Sequence, residues 1–251
     1  MSTVWINGEF LAADKASLPL GDSGLMNGIG VFDTMLAIDG ALQFAAVHFA
    51  RLMRDAQTVM GIAPGIERLE DIATALLEKN DLIAGNARVR TCITGGVIPS
   101  PLARVTIPSV VMTATAVPEN TAPIEAWIVS EFPRIAGNVL ENCKRIDYTR
   151  AYAARRATEK RGGNEALVTN TLGMVVCATT SNLFIVEGNR WFTPPLNDGI
   201  IDGITRRHII TDKNATEESM LPERVLKADA VYICNSITGL RPLSSLNGKR
   251  F

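Results

Sequence analysis

Histidine is scarce in this chain, which has only His48 and His208 among its 251 residues. Neither lies near a GxSxG motif, the turn that carries the nucleophile of many serine hydrolases, so a serine–histidine–acid hydrolase is disfavoured. Two histidines so far apart also make a poor transition-metal site, and we expect no metal. The shortage directs any chemistry toward a lysine, a carboxylate or a bound cofactor.

Nucleotide-binding loops and cysteine pairs are missing as well. No GxGxxG motif follows a strand signal and no GxxxxGK[ST] motif is present, so a nucleotide-binding loop has no support. The cysteines form no CxxC pair, and their spacing suits neither a zinc site nor a dense disulfide framework. We expect free thiols in a reducing compartment. The four cysteines are Cys92, Cys143, Cys177 and Cys234.

Charge of one sign is not in excess, since 25 Lys and Arg face 26 Asp and Glu. That balance gives no general attraction to nucleic acid or to an anionic membrane, so neither is an expected partner. The N-terminal stretch lacks a basic start followed by an apolar run, and no segment approaches the ~18 apolar residues of a membrane-spanning helix. We therefore expect a cytoplasmic protein. Because hydrophobic residues make up 47% of the chain, we also expect a sizeable core.

Signals for strands and helices are mixed along the chain. The first 40 residues are expected to form short strands, with Asn7-Gly8 and Asp39-Gly40 as tight hairpin turns. Helical spacing of apolar residues predicts helices over 48–62 and 66–82, and composition predicts another over 149–161. Further helices are expected at 205–211 and 222–227. Strands are expected at 87–96, 105–117, 124–132, 165–170, 173–188, 190–194 and 230–235.

The arrangement of these signals favours an α+β protein of two domains, because strands cluster in each half without strict alternation with helices. Residues 118–123 (PENTAP) are the linker candidate, since their prolines and polar residues separate two strand signals. We predict a smaller N-terminal α/β domain over 1–117 and a larger C-terminal domain over 124–251. The cleft between them would be the default ligand site.

Four segments carry a more specific pattern. They are GDSGLMNGIGVFDTMLAIDG with HFARL (21–40, 48–52), CKRIDYTRAYAARRATEKRGGNEAL (143–167), LGMVVCATTSNLFIV (172–186) and FTPPLNDGIIDGITRRHII (192–210). Their order, with ADAVYICNSITGLRPL (228–243) beyond, resembles the fold-type IV (class IV) enzymes that use pyridoxal 5′-phosphate (PLP). That family includes the branched-chain and D-amino-acid aminotransferases and aminodeoxychorismate lyase.

The resemblance implies a cytoplasmic homodimer of two-domain chains, with PLP in the interdomain cleft. It implies that Lys144 is the catalytic residue and holds the cofactor aldehyde as a Schiff base, which an incoming amino group displaces. The released amine would carry a proton between the substrate Cα and the cofactor C4′. PLP itself would act as the electron sink.

The resemblance also implies further cofactor contacts. Arg51 would hold the phosphate through a charge-assisted fork. Gly203, Ile204 and Thr205 would offer N–H groups and a hydroxyl at a helix N-terminus, which suits an anion, although simple capping by Thr205 is the alternative. The other expected cofactor contacts are Tyr148, Cys177, Ser236 and Ile237. The expected substrate contacts are Phe32, Arg90 and Thr238.

Cys177 is a departure from the family pattern. Counting back five residues from Asn182, it stands where the family has a glutamate that pairs with the pyridine nitrogen. A neutral thiol cannot provide that ionic stabilisation, and thiols are only weakly acidic outside electropositive sites. We therefore expect slow transamination or a redirected reaction. The alternative is that a nearby group or water takes over.

Gly95 is the second departure, because several relatives carry a carboxylate-binding arginine there. Its replacement could be Arg88, Arg90 or Arg104, so substrate identity and the preference for L- or D-amino acids cannot be carried over. The leading hypothesis is an aminotransferase that moves an amino group between an amino acid and a 2-oxo acid. The alternatives are a lyase resembling aminodeoxychorismate lyase, a PLP-binding protein impaired by Cys177, and a binding module without PLP.

Overall fold

The computed structural model describes residues 2–251, which form two compact units. The first unit contains the chain up to Glu119 together with Cys143–Asp147, and the second contains Asn120–Asn142 with Tyr148–Phe251. A short segment that includes Lys144 therefore belongs to the first unit although it is distant from it in sequence. The domain limits and the linker expected from the sequence stay a prediction.

The first unit is built on a six-stranded antiparallel sheet. Its strands are β1 (Thr3–Ile6), β2 (Glu9–Ala12), β3 (Gly30–Ile38), β4 (Ala41–Leu42), β5 (Asn86–Thr94) and β6 (Ser109–Ala116). They lie in the order β2-β1-β6-β5-β3-β4. Asn7 and Asp39 have positive φ angles of 48° and 47°, and each precedes a glycine of positive φ, as a primed hairpin turn requires. Both predicted hairpins are confirmed.

Three helices complete the first unit: α1 (Ser23–Asn27), α2 (Ala45–Met60) and α3 (Leu69–Lys79). The two longer ones confirm the predicted helices, although α3 begins only after Arg68, whose φ of 60° is not helical. The expectation of strands alone in the first 40 residues is wrong, because α1 forms there. The Asp22 side chain caps α1 by accepting a hydrogen bond from the Gly24 N–H at 2.8 Å.

The segment Cys143–Asp147 lies along β3. The Phe32 N–H donates to the Lys144 carbonyl oxygen at 2.9 Å, and the Ile146 N–H donates to the Gly30 carbonyl oxygen at 3.1 Å. Between these bonds, Val31 and Arg145 form an isolated antiparallel bridge. Two backbone hydrogen bonds to a buried strand thus fix the main chain of Lys144 beside Phe32.

The second unit is built on a mixed ten-stranded sheet. Its strands are β7 (Glu125–Arg134), β8 (Glu165–Asn170), β9 (Val175–Ala178), β10 (Asn182–Glu187), β11 (Arg190–Thr193), β12 (Thr216–Glu217), β13 (Ala230–Asn235), β14 (Gly239–Pro242), β15 (Ser245–Leu246) and β16 (Lys249–Arg250). The main order is β12-β11-β10-β9-β8-β7-β15-β16, and β13 pairs with β10 and β14. The helices are α4 (Val139–Asn142), α5 (Thr149–Glu159), α6 (Ile204–Lys213) and α7 (Pro222–Lys227).

Each unit has its own hydrophobic core. In the first, α2 and α3 bury one apolar face each against the sheet, with Leu52 and Leu76 almost fully buried. In the second, the central strand β10 contributes the fully buried Leu183 and Ile185. Mixed helices and sheets of this kind confirm the α+β class.

Three structural findings bear on the classes of site considered from the sequence. All four cysteines are free thiols. Within residues 2–251, no group of three or more His, Cys, Asp and Glu side chains is arranged to hold a metal ion. None of the helices in that same range combines the length and the hydropathy that a membrane crossing needs.

Candidate active site

Four of the residues predicted to form the site belong to the first unit, and two of them, Lys144 and Arg90, lie over the aromatic ring of a third, Phe32. The Lys144 Nζ is 4.2 Å from the centre of the Phe32 ring, and the guanidinium carbon of Arg90 is 3.6 Å from the same centre. Phe32 is only 3% exposed, so two cations rest on a buried aromatic ring. We define the lysine cluster as Phe32, Asp33, His48, Arg51, Arg90 and Lys144.

The pairing of β3 with β5 explains the position of Arg90. Phe32 lies opposite Cys92, and Thr34 lies opposite Arg90. Arg90 is therefore the diagonal neighbour of Phe32 on the same face of the sheet, within reach of a long side chain. The cation–aromatic stack thus follows from the register of two strands.

Lys144 is held from a second side and has an altered amine. The Asp55 Oδ2 accepts a hydrogen bond from the Lys144 backbone N–H at 2.8 Å. Burial lowers the pKa of the Lys144 amine to about 8; Arg51 and Arg90 also lower it, whereas Asp33 and Asp55 oppose the change. The neutral amine, which is the nucleophilic form, is therefore more abundant near neutral pH than in an ordinary lysine.

A buried carboxylate connects α2 to β3. Asp33 accepts hydrogen bonds from Arg51 through Nε and Nη2, both at 2.7 Å, and contacts His48 Nδ1 at 2.8 Å. Burial would raise the pKa of Asp33, but the hydrogen bonds and charges of His48 and Arg51 outweigh it and lower the pKa to about 2. Because the carboxylate is then ionised at neutral pH, His48 carries a proton on Nδ1 and donates it.

In the second unit, predicted residues meet at the start of α6 and the end of β13. Gly203 is the N-cap of α6. The first N–H groups of the helix, beginning at Ile204, therefore point out of its N-terminus, which is the positive end of the helix dipole. The Thr205 hydroxyl donates to the Ser236 hydroxyl at 3.4 Å. A Cβ at position 203 would lie 2.0 Å from the Asn182 Oδ1, so the close approach of this side chain requires glycine there.

The turn after β13 is shaped by Asn235. Its Oδ1 accepts hydrogen bonds from the backbone N–H groups of Ile237 and Thr238, both at 2.9 Å, and from the Thr238 hydroxyl at 3.1 Å. The Ile237 N–H, expected to bind phosphate, is thus used inside the turn in this structure. Ser236 is half-buried next to it, and Thr238 is exposed.

Cys177 is buried in β9, where it pairs with Asn182 of β10. Burial raises the pKa of the Cys177 thiol; Glu141 and Glu165 also raise it, whereas Arg134 and Arg150 lower it only in part. The thiol is therefore neutral at neutral pH. It does not supply the negative charge of the glutamate that the family pattern has at this position.

The two acidic side chains that act on Cys177 are each held by arginine. Glu141 is 1% exposed and forms ion pairs with Arg134 and Arg150. Glu165 forms an ion pair with Arg155 at 3.1 Å. Both carboxylates thus have cationic partners within the second unit.

The structure brings predicted residues together within each unit. The lysine cluster contains all the predicted residues of the first unit. In the second unit, Asn182 connects Cys177 to Gly203, because it pairs with the first and packs against the second. Tyr148 is half-buried at the start of α5.

Sequence reasoning missed five residues that shape these groups: Asp33, His48, Asp55, Asn182 and Asn235. For His48 a signal existed, because its spacing of three from Arg51 predicts the same helix face. For Asn235 the signal was an asparagine at the end of a strand before a turn. Asp33 and Asp55 had no local signal, since their partners come from other elements.

Comparison with known proteins gives the family. The family model of the class IV aminotransferases matches residues 30–246. A D-alanine aminotransferase from Staphylococcus epidermidis is 26% identical over 99% of this chain and 90% of its own length. An aminodeoxychorismate lyase from Bacillus subtilis is 27% identical over 97% of this chain and 86% of its own length.

A solved structure supports the fold. The PLP-bound form of a hypothetical aminotransferase from Mycobacterium tuberculosis superposes with a TM-score of 0.86, covering 99% of this chain and 92% of that one at 20% identity. The expected fold-type IV architecture is thereby confirmed. Since the family match spans most of the sequence and every residue of the lysine cluster, the chain belongs to the class IV aminotransferases, a PLP-dependent family.

Proposed function

We propose that this chain is a PLP-dependent aminotransferase that moves an amino group between an amino acid and a 2-oxo acid. The observation that supports it most is the Lys144 amine, whose pKa is lowered to about 8 by burial and by the charges of Arg51 and Arg90, and which lies with Arg90 on the buried Phe32 ring. A nucleophilic amine suits attachment to the cofactor aldehyde, and guanidinium groups suit the phosphate and carboxylate that accompany it. The residues present therefore fit PLP in this respect.

The chemistry divides between cofactor and protein. When bound, PLP supplies the electron sink that accepts the negative charge developing at the substrate Cα. Lys144 Nζ would hold the cofactor through its aldehyde, and the amine that the substrate displaces would take the proton from Cα and deliver it to the cofactor C4′. A pKa near the working pH suits this role, because such a group is both an effective base and an effective acid.

The phosphate contacts are proposed from anion-binding features in each unit. In the first, Arg51 offers a buried cation. In the second, the N-terminus of α6 offers N–H groups, and the Thr205 and Ser236 hydroxyls lie next to each other. Removing either hydroxyl (Thr205→Ala or Ser236→Ala) and measuring PLP affinity tests each assignment by itself.

Arg90 is proposed to bind the substrate carboxylate in place of the arginine that relatives carry at position 95. The structure explains why that position is glycine: a Cβ there would lie 2.4 Å from the Ser23 Oγ and 3.0 Å from a Val105 methyl. Arg90 instead presents its guanidinium above Phe32, on the ring that Lys144 also contacts. An α-amino acid carries its carboxylate next to the amino group, so neighbouring amine and guanidinium sites suit it.

Arg90→Ala is expected to raise the KM for amino acids by about 10- to 100-fold, since a charge-assisted hydrogen bond contributes ~1.5–3 kcal/mol. The affinity for PLP should change little. Arg88→Ala is the matched control, because Arg88 lies on the same strand and its Nε donates to the Thr115 hydroxyl. Equal KM values for the Arg90 variant and the wild type would contradict the assignment.

Absorbance spectra test the proposed function directly. With PLP the protein should be yellow, and an amino donor should convert it to the colourless pyridoxamine form while a 2-oxo acid is released. A protein that stays colourless after addition of PLP contradicts the proposal. If the protein is coloured but no amino acid converts it to the pyridoxamine form, transamination is contradicted. The protein would then bind PLP without catalysing that reaction.

A lyase is the second candidate, and the neutral thiol of Cys177 favours it. A reaction that needs less delocalisation into the pyridine ring tolerates the loss of the glutamate better than transamination does. The lyase from Bacillus subtilis, at 27% identity, also makes this reaction a natural one to test. Release of pyruvate from aminodeoxychorismate, without formation of the pyridoxamine form, would identify it.

We also propose that the chain forms a homodimer through an exposed apolar surface of the first unit. This surface consists of α1 and residues 97–107, with Leu25, Met26, Val97 and Leu102 exposed. Asp22 and Val97 form a backbone bridge that joins the two segments. Large exposed apolar surfaces are uncommon on monomers, so a second copy of the chain is the expected cover.

The double variant Leu25→Asp, Leu102→Asp is expected to be monomeric, because two buried charges in an apolar interface are costly. Light scattering after size-exclusion chromatography measures this. Leu172→Asp, which changes an exposed leucine of the second unit, is the control and should keep the mass of the wild type. A wild-type protein that is already monomeric would contradict the proposal.

A further inference from the structure

We propose that Asp33, supported by His48, is a positioning residue that sets the orientation of Arg51 toward the phosphate of the cofactor. The inference rests on the proposed function, since it takes Arg51 as a phosphate contact. It assigns a role to a carboxylate that would bind neither the cofactor nor the substrate.

The first argument is the geometry of the fork. Asp33 Oδ2 accepts from Arg51 Nε, and Oδ1 accepts from Nη2, each at 2.7 Å. Two parallel hydrogen bonds to one edge of a guanidinium fix both its plane and its direction, which a single contact cannot do. An arginine has a long, flexible side chain, so binding of an anion benefits when the protein orders that side chain beforehand.

The second argument is that Asp33 is itself fixed. Besides Arg51, its Oδ1 accepts from the Thr34 N–H at 2.7 Å and from His48 Nδ1 at 2.8 Å. Asp33 and His48 are each 1% exposed, and Arg51 is 6% exposed. A carboxylate bound by the backbone of β3 and by two side chains of α2 has one orientation, and it transmits that orientation to Arg51.

Charge allows the opposite outcome, and this makes the inference testable. A carboxylate close to Arg51 partly neutralises the guanidinium and would by itself weaken attraction to a phosphate. If neutralisation were the larger effect, removing the charge of Asp33 would tighten phosphate binding. If positioning is the larger effect, removing it loosens binding.

The experiment titrates the apoprotein with PLP and with pyridoxal, which lacks the phosphate, and follows absorbance. For Asp33→Asn we expect the Kd for PLP to rise on the order of tenfold or more, as loss of a charge-assisted hydrogen bond implies. The Kd for pyridoxal should change by less than about twofold. A role in stability alone would move both constants together, so the ratio of the two constants is the decisive readout.

Asp55→Asn is the matched control, because Asp55 is equally buried on α2 but bonds to Arg54 and to the Lys144 backbone. It should change the two Kd values in parallel. The Kd for PLP of the double variant Asp33→Asn, Arg51→Lys should be less than about twofold higher than that of Arg51→Lys alone. An additive double variant overturns the inference.

His48 gives a second route if Asp33→Asn fails to fold. His48→Ala removes the donor to Asp33 and should raise the Kd for PLP selectively, whereas His48→Asn, which keeps an N–H donor near the Nδ1 position, should restore it. Unchanged PLP binding, tighter PLP binding or equal losses for PLP and pyridoxal overturn the inference. Failure of the wild type to bind PLP is a different result and overturns the proposed function.

Discussion

Replacement of Lys144 by alanine is expected to abolish covalent attachment of PLP and to slow amino-group transfer by about 10²- to 10⁴-fold, the usual contribution of a positioned acid–base group. Under the proposed function, the variant loses both the amine that would bind the aldehyde and the group that would move the Cα proton. Borohydride reduction followed by peptide mass spectrometry measures the first effect, and the spectral half-reaction measures the second. Both should fall together, because the proposal assigns both tasks to one nitrogen.

The control is Lys160→Ala, which removes an exposed lysine at the end of α5. It should keep the wild-type spectrum and the reduced cofactor on Lys144. Trapping of PLP on another lysine in the Lys144→Ala variant, with wild-type rates, would contradict the assignment.

The pKa of Lys144 adds an expectation for pH. Because burial lowers this pKa from 10.5 to about 8, the amine is protonated and unreactive well below pH 8 and neutral above it. The rate of PLP attachment to the apoprotein should therefore rise with pH up to about 8 and then level off. Arg90→Ala removes one positive neighbour and should move this midpoint upward.

Local sequence patterns predicted much of the fold. Asn7-Gly8 and Asp39-Gly40 specify turns that need positive φ, so the hairpins could be read directly. The apolar spacing around Leu52 predicted α2, whereas the interest in Arg51 came from the resemblance to the family and not from the helical pattern. These features depend on residues close in sequence, where the physical rules are strongest.

Long-range partners could not be predicted in the same way. Nothing in the sequence shows that Lys144 pairs with Phe32, more than a hundred residues earlier, or that Asp33 meets α2. Gly95 is a related case. From the sequence it indicated only a missing arginine, whereas the structure shows that a side chain there would require Ser23 and Val105 to move.

The second large effect is expected at Cys177. Burial raises the pKa of this thiol, and the nearby Glu141 and Glu165 are paired with arginines, so we propose that no anion faces the pyridine nitrogen. Cys177→Glu would restore the carboxylate of the family and keep that nitrogen protonated. Transamination should then become faster by about tenfold or more, since a charge-assisted hydrogen bond contributes ~1.5–3 kcal/mol.

Single-turnover conversion to the pyridoxamine form, followed by absorbance, measures the gain. Cys177→Gln is the matched control, because it has the size of glutamate without the charge and separates electrostatics from packing in a site that is only 7% exposed. If Cys177→Glu and Cys177→Gln have the same transamination rate, the lack of charge at position 177 does not limit the reaction. A different group would then interact with the pyridine nitrogen. A further outcome is that Cys177→Glu acts on the two reactions in opposite directions, with faster transamination and slower release of pyruvate from aminodeoxychorismate. Because a single change of charge would then favour one reaction over the other, that result would identify the native thiol as an adaptation toward elimination.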